Sequence, residues 1–145
     1  MKYKLFLVVR VSFLDGVDPI DEIEKILLNN DFSWFAKYGQ PIVGPVLNRW
    51  RDFNDVALSI VYKTSTGYRM ASYQIDEITE TPDLKNGTYP PYYNAFLRRV
   101  KTYIKISRLN AEPPTTDELS VRSSSNKLTV ALRTSMRGYF VCRPT

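Results

Sequence analysis

The apolar residues of this chain come in short runs that alternate with a period of two, and segments rich in Gly and Pro separate the runs. Leu5, Leu7, Val9 and Val11 share one side of such a run, and most residues between them are also apolar, which predicts a central strand over 2–13. A chain of such runs with no internal repeat favours a small mixed β-fold over a doubly wound sheet.

Further runs extend this pattern. Segments 56–63 and 68–75 flank Thr64-Ser65-Thr66-Gly67, which predicts a hairpin in which Gly67 takes a positive φ. Alternation over 100–106 predicts a half-buried strand. Its exposed side is expected to be basic and aromatic, with Lys101, Tyr103, Lys105 and Ser107. Leu128, Val130 and Leu132, followed by 139–142, predict a final strand region.

Two helix starts are marked. Asp18 can cap a helix that has Pro19 in its first turn, which predicts a helix over 19–28. Thr115 and Glu118 have the spacing of a capping box and predict a second, short helix. Prolines and glycines predict loops over 31–50 and 79–94. The sequence therefore predicts one α+β domain over 1–145, a small mixed β-barrel of five or six strands with two or three short flanking helices.

The 145 residues include no histidine and a single cysteine, Cys142. This composition excludes an intramolecular disulfide, catalytic triads that need His, and cysteine-based zinc sites, so we predict no metal, no cofactor and no enzymatic activity. The longest apolar run, Leu5 to Val9, is far shorter than the roughly 20 residues that span a bilayer, and it lacks the features of a secretory signal. We expect a cytoplasmic protein that does not bind membranes.

The net charge of +5 is unevenly distributed. Residues 1–80 hold nine basic and eleven acidic side chains, whereas residues 81–145 hold eleven basic and only four acidic ones. Such a distribution is typical of a folded face that attracts a polyanion, although an ordinary solvated surface has the same composition. Nucleic acid, either DNA or RNA, is therefore the expected partner.

Three motifs occur in the same order as in EVE domains. The segment 48–55, Asn-Arg-Trp-Arg-Asp-Phe-Asn-Asp, resembles the R-N-F-L-R-D-M helix and the V-G-D turn of that family, with Asn54 in place of the glycine. Tyr89-Pro90-Pro91-Tyr92-Tyr93 and the strand after it are similar to the S-P-Y-Y-D loop and its following strand. Segment 132–144 is similar to the closing L-R-x-x-R-L-S-V-x-P.

EVE domains belong with YTH and ASCH domains to the PUA-like superfamily, small β-barrels that bind nucleic acid, often at a modified base. The resemblance implies a PUA-like fold of the EVE type and recognition of a modified, methylated base. EVE-like domains also occur as N-terminal target-recognition modules of McrB-type restriction motors. For this chain it implies a DNA recognition module of a restriction or defence system, with a C-terminal AAA+ motor in a longer chain and a monomeric isolated domain.

A modified base in a duplex must leave the stack and be held between aromatic faces. The resemblance implies that two loop regions form the pocket. Asn48 and Ser72 are alternative candidates for a contact with the base edge. The base-binding candidates are Trp34, Tyr38, Asn48, Trp50, Tyr89, Tyr92 and Tyr93. Trp50 is also suited to fill a barrel core, and one of Tyr92 and Tyr93 to anchor the loop by packing.

Basic side chains near these regions are candidates for contacts with backbone phosphates, which provide affinity without sequence information. They are Arg49, Arg98, Arg99, Lys101, Lys105, Arg108, Arg137 and Arg143. Three alternatives stay open: an RNA-binding domain without modification specificity, an ASCH-like hydrolase that uses Lys63 and Tyr73, and a protein-interaction module.

Overall fold

The computed structural model describes residues 3–12, 16–38 and 54–145, which form a mixed α+β structure with one seven-stranded sheet and two α-helices. The strands are β1 (Leu5–Arg10), β2 (Ser33–Lys37), β3 (Val56–Thr64), β4 (Gly67–Thr79), β5 (Thr102–Arg108), β6 (Leu119–Val121) and β7 (Tyr139–Pro144). The helices are α1 (Pro19–Asn29) and α2 (Leu128–Thr134), and 3-10 turns cover Pro91–Ala95, Leu97–Arg99 and Thr116–Glu118.

The strand order is β2-β5-β4-β3-β1-β7-β6. β1 is parallel to β3, and all other neighbouring strands are antiparallel. β1 lies between β3 and β7, as its apolar sequence predicts, and Phe6 to Val9 are buried on both faces. Within the described residues the sheet is not closed into a barrel, so the predicted barrel is not confirmed, and it has seven strands rather than five or six.

The open sheet is strongly curved. Lys37, at the end of the edge strand β2, is 2% exposed, and its ammonium group lies 5.1 Å from the ring centre of Tyr139 in β7, five places further along the sheet. Burial lowers the pKa of Lys37. One core, which includes Leu7, Phe35 and Ile104, fills the concave side beneath α1. The curvature therefore brings β2 opposite the β1–β7 pair.

The elements that depend on local sequence signals are confirmed. The Asp18 carboxylate accepts hydrogen bonds from the backbone N–H groups of Ile20 and Asp21 at 3.0 and 3.3 Å, and α1 begins at Pro19. Gly67 has φ of 147° at the start of β4 in the β3–β4 hairpin. Both halves of the capping box between Thr115 and Glu118 are present, although the helix that it starts is a single 3-10 turn.

Two predicted segments are wrong. Residues 33–37 form β2 rather than loop, because pairing with β5 and burial of every residue in the strand stabilise an extended segment that local sequence does not mark. Residues 128–134 form α2 rather than a strand, because Leu128, Ala131 and Leu132 have helical spacing and pack together. They belong to a second core, which also includes Phe6 and Phe140.

Two further predictions are corrected in detail. The first residue of the predicted loop over 79–94, Thr79, is instead the last residue of β4. The same predicted loop contains the 3-10 turn that begins at Pro91. Tyr103, expected on an exposed face of β5, is buried because an aromatic cluster covers that side of the strand.

Candidate nucleic-acid interface

A cavity of about 410 Å³ opens where the end of β1 faces β2 across the curved sheet. Its volume is within the range of small-molecule sites in proteins. The described residues that line it, here called the aromatic cleft, are Val9, Arg10, Val11, Ser12, Phe35, Ala36, Tyr38, Tyr92, Tyr93 and Phe96. Four of the ten are Tyr or Phe rings outside the sheet core, so the cleft offers flat apolar faces to a ligand.

The 3-10 turn at Pro91–Ala95 positions three of these rings. Its first hydrogen bond runs from Tyr93 N–H to the Pro90 carbonyl at 3.0 Å, and the Phe96 N–H then donates to the Tyr93 carbonyl at 2.9 Å. Pro91 suits such a turn because its φ is already fixed. Tyr92, Tyr93 and Phe96 are thereby brought to one wall, with Tyr92 in edge contact with Tyr93 at 4.8 Å between ring centres.

Tyr38 forms the outer rim of the cleft. It directly follows β2, is 55% exposed, and meets the Phe96 ring edge-on at 5.6 Å. A large aromatic side chain this exposed is available to stack on a planar ligand. Tyr38 and Tyr92 are therefore the two predicted base-binding residues with accessible ring surface in the cleft.

A second aromatic layer supports the wall from behind. Trp34 and Tyr89 are buried there with Tyr103 and do not line the cleft. The Tyr89 hydroxyl donates to the Asn94 side-chain oxygen at 2.9 Å, and the Tyr103 hydroxyl donates to the Leu97 carbonyl at 3.1 Å. These bonds fix the 3-10 turns at Pro91–Ala95 and Leu97–Arg99. Trp34 and Tyr89 therefore support the cleft from behind rather than face a ligand.

Burial raises the pKa of Tyr92 and Tyr93. The pKa of Tyr92 is raised to about 12, and that of Tyr93, which is completely enclosed, lies well above its ordinary value. Both phenols are therefore neutral at physiological pH and can donate a hydrogen bond. Neither is suited to act as a general base.

A second cavity, of about 490 Å³, adjoins the aromatic cleft. The described residues that line it, here called the basic groove, are Arg10, Val11, Ser12, Val61, Tyr62, Lys63, Tyr68, Leu132 and Arg133. Three of them are cationic and none of those described is acidic. Because Arg10, Val11 and Ser12 line both cavities, the end of β1 is the partition between an aromatic site and a cationic one.

Arg10 is fixed at this partition by the end of α2. Its Nη1 and Nη2 groups donate to the carbonyls of Ser135 at 3.0 Å and Leu132 at 2.7 Å, and the guanidinium lies 5.9 Å from the ring centre of Phe140. A cation at the C-terminal end of a helix is favoured by the helix dipole. Lys63 and Arg133 are exposed and are the freely accessible cations of the groove.

The predicted phosphate-binding residues are spread over other surfaces. Arg98, Arg99, Lys101 and Arg143 are exposed. Lys105 lies over the Phe32 ring at 4.2 Å, Arg108 pairs with Glu24 at 3.2 Å, and Arg137 lies 5.8 Å from the Phe140 ring that Arg10 also contacts. None of these lines the cleft or the groove. The predicted residues Asn48, Arg49 and Trp50 lie outside the described residues.

Arg10, Phe96 and Arg133 are site residues that the candidate set lacks. Phe96 has a local signal, since it follows Tyr92 by four residues and can share its face in a turn. Arg10 interrupts an apolar run at the end of a strand, which is an ordinary way for a strand to end. Ser72, considered for an edge contact, is instead 2.7 Å from the Ser59 hydroxyl within the β3–β4 pair.

The residues considered for a hydrolase are far apart. Tyr73 pairs with Leu58 in the β3–β4 register, five residues before Lys63, which corresponds to about 16 Å along a strand. The Tyr73 hydroxyl donates to Glu24 at 2.9 Å, and burial raises its pKa. Within the described residues, no three His, Cys, Asp or Glu side chains are grouped to hold a metal ion.

Comparison of the chain with protein-family models, with curated proteins and with solved structures finds no match. None of the described helices is both long and apolar enough to cross a membrane. The functional assignment therefore depends on the cleft and the groove themselves.

Proposed function

We propose that this chain is a non-catalytic nucleic-acid-binding domain that holds a flipped, modified base in the aromatic cleft and contacts backbone phosphates through the basic groove. The observation that carries this proposal is the partition at Arg10, Val11 and Ser12, where an aromatic site and a cationic site meet. A nucleotide has this same bipartite chemistry, because a flat base is joined to an anionic phosphate.

The aromatic side of the proposal depends on Tyr38, Tyr92 and Phe96. The ring centres of Tyr38 and Tyr92 lie 5.6 and 6.0 Å from that of Phe96, so Phe96 is the central ring of the three. Stacking of a base on one aromatic ring contributes about 1–3 kcal/mol. A methyl group adds only about 0.8 kcal/mol, so selection of a methylated base requires close contact with these rings.

The fold supports the same proposal. A curved sheet whose edge strand β2 approaches β1 and β7 is in keeping with a PUA-like domain of the EVE type, with the cleft at the gap between the strands. We therefore retain the resemblance to EVE domains, and with it a role as the DNA recognition module of a restriction or defence system, as part of the proposal.

Fluorescence anisotropy at two salt concentrations tests the function. The probes are matched DNA and RNA oligonucleotides, unmodified or carrying N6-methyladenine, 5-methylcytosine or 5-hydroxymethylcytosine. We expect at least a tenfold preference, about 1.4 kcal/mol, for one modified form. Uniform, salt-dependent binding would indicate an RNA- or DNA-binding platform without modification specificity, and absence of binding would contradict the proposal.

A further inference from the structure

Three buried side-chain polar atoms in the described part of the chain lack a hydrogen-bond partner: Arg10 Nε, Trp34 Nε1 and the Tyr93 hydroxyl oxygen. Two of these three belong to residues that line the aromatic cleft. Buried polar groups are nearly always paired, because leaving one unpaired costs free energy. Unpaired groups concentrated at one cavity are therefore a feature that folding alone does not account for.

The Tyr93 hydroxyl is the clearer case. The side chain is 2% exposed, and the ring is held by contacts with Tyr89 and Phe96 on either side. The Tyr92 side chain and the Ala36 backbone lie beside the hydroxyl and act on its pKa as hydrogen-bonding neighbours, but neither contact has the distance and angle of a well-formed hydrogen bond. The neighbouring phenols of Tyr89 and Tyr103 both find acceptors, so the same cluster can satisfy hydroxyl groups elsewhere.

Arg10 presents a second donor. Its two terminal nitrogens are occupied by the carbonyls at the end of α2, which fixes the plane of the guanidinium and leaves only Nε–H unpaired. Both unpaired groups donate hydrogen bonds at neutral pH. A ligand that satisfied them would carry acceptor atoms, either a carbonyl oxygen or an unprotonated ring nitrogen, on the edge that enters the cleft.

We propose that Tyr93 and Arg10 are specificity-determining residues, with the Tyr93 hydroxyl and Arg10 Nε–H donating hydrogen bonds to acceptor atoms on the edge of the bound base. This inference rests on the proposed function and assigns edge recognition to these two side chains, whereas Tyr38, Tyr92 and Phe96 provide the stacking faces. Both donors are shielded from solvent, so a base edge reaches them only if neighbouring side chains move, among them the half-buried Tyr92 ring in edge contact with Tyr93.

Tyr93→Phe tests the assignment because it removes only the hydroxyl. Loss of an unpaired buried group leaves the folded protein as stable as before or more stable, so we expect an unchanged or higher Tm. We expect about tenfold weaker binding to whichever oligonucleotide with N6-methyladenine, 5-methylcytosine or 5-hydroxymethylcytosine binds wild type best, since one base acceptor then loses its donor.

Tyr89→Phe is the matched control. Its hydroxyl is bonded to Asn94 and lies outside the cleft, so the variant should have a lower Tm and unchanged affinity. A lower Tm for Tyr93→Phe, or affinity equal to that of wild type, would overturn the inference and leave base binding by the wild type standing. Failure of the wild type to bind any of the oligonucleotides would instead overturn the proposed function, and the inference with it.

Discussion

Tyrosine hydroxyls are buried against the sheet at two places, and their partners differ. Where α1 packs on the sheet, Tyr62 donates to Asp18, which also accepts from Arg69 at 2.6 Å, and Tyr73 donates to Glu24. At the aromatic cleft, the Tyr93 hydroxyl lies beside the Tyr92 side chain and the Ala36 backbone but makes no well-formed hydrogen bond with a described residue. The junction at α1 is electrostatically complete, whereas the cleft is not.

This difference separates a structural role from a binding role. Burial alone would raise the pKa of Asp18, but hydrogen bonds from Tyr62 and the Asp21 backbone, together with the Arg69 charge, outweigh it and lower the pKa. Burial and the Asp18 carboxylate raise the pKa of Tyr62. Asp18 is therefore held ionised and Tyr62 protonated, which are the states that their hydrogen bond requires. The Tyr93 hydroxyl and Arg10 Nε at the cleft lack such partners, and for that reason we propose a binding role for them.

The largest expected effect is on stability, from removing Asp18 at the junction between α1 and the sheet. Asp18→Ala removes the N-cap of α1, the acceptor for Tyr62 and the partner of Arg69, and we expect a loss of about 3 kcal/mol in the free energy of unfolding. Urea denaturation measures this loss. Lys25→Ala, which breaks only an exposed pair with Glu22 on the same helix, should change stability by less than about 0.5 kcal/mol. Equal effects would show that the junction is not special.

The next effect concerns the aromatic cleft and its preference for a modified base. Tyr92→Ala removes a stacking face of the cleft, and we expect the preference for the modified base to fall about tenfold while weak binding of unmodified oligonucleotide stays. Tyr92→Phe retains the ring and should keep the preference. Anisotropy titrations of both variants against matched modified and unmodified oligonucleotides make the comparison. Equal loss on the two oligonucleotides would remove Tyr92 from the base-binding set.

The elements that the sequence predicts differ from those that it misses in whether their conformation is set locally or by tertiary contacts. α1, the β3–β4 hairpin and the capping box at Thr115 follow from residues within a few positions of each other, and all three are confirmed. β2 and α2 do not follow from local sequence. The conformation of β2 depends on its pairing with β5, and that of α2 depends on its packing against the second core. Intrinsic preference is weak where packing decides.

The candidate site divides in the same way. Tyr92 and Tyr93 are adjacent in a proline-flanked segment, so their shared location at the cleft follows from local sequence. Arg10 reaches the same place only because the sheet curves and α2 presents its last carbonyls there. Trp34 and Tyr89 have the same residue chemistry as Tyr38, but only packing distinguishes a supporting ring from a rim ring.

The basic groove gives a further test of where the phosphates lie. Lys63→Ala combined with Arg133→Ala removes its two exposed cations, and we expect the slope of log affinity against log salt to become shallower by about two. Lys101→Ala combined with Lys105→Ala removes two cations from β5 and the residue before it, outside the groove, and should leave the slope unchanged. The reverse result would place the nucleic-acid phosphates along β5, as the sequence predicts.

The smallest expected effect is the pH dependence of the α1 junction. The pKa of Asp18 is lower in the folded than in the unfolded chain, where an aspartate titrates near 3.9. Its charge therefore stabilises the fold above about pH 4, and this contribution is lost as the pH falls through the folded pKa. Asp18→Asn keeps a capping side chain but no charge, so it should be less stable than wild type by about 1 kcal/mol or less at pH 7. In thermal unfolding measured across pH, that difference should shrink as the pH falls below about 4 and through the folded pKa of Asp18. A difference that stays constant with pH would mean that the Asp18 geometry, rather than its charge, stabilises the junction.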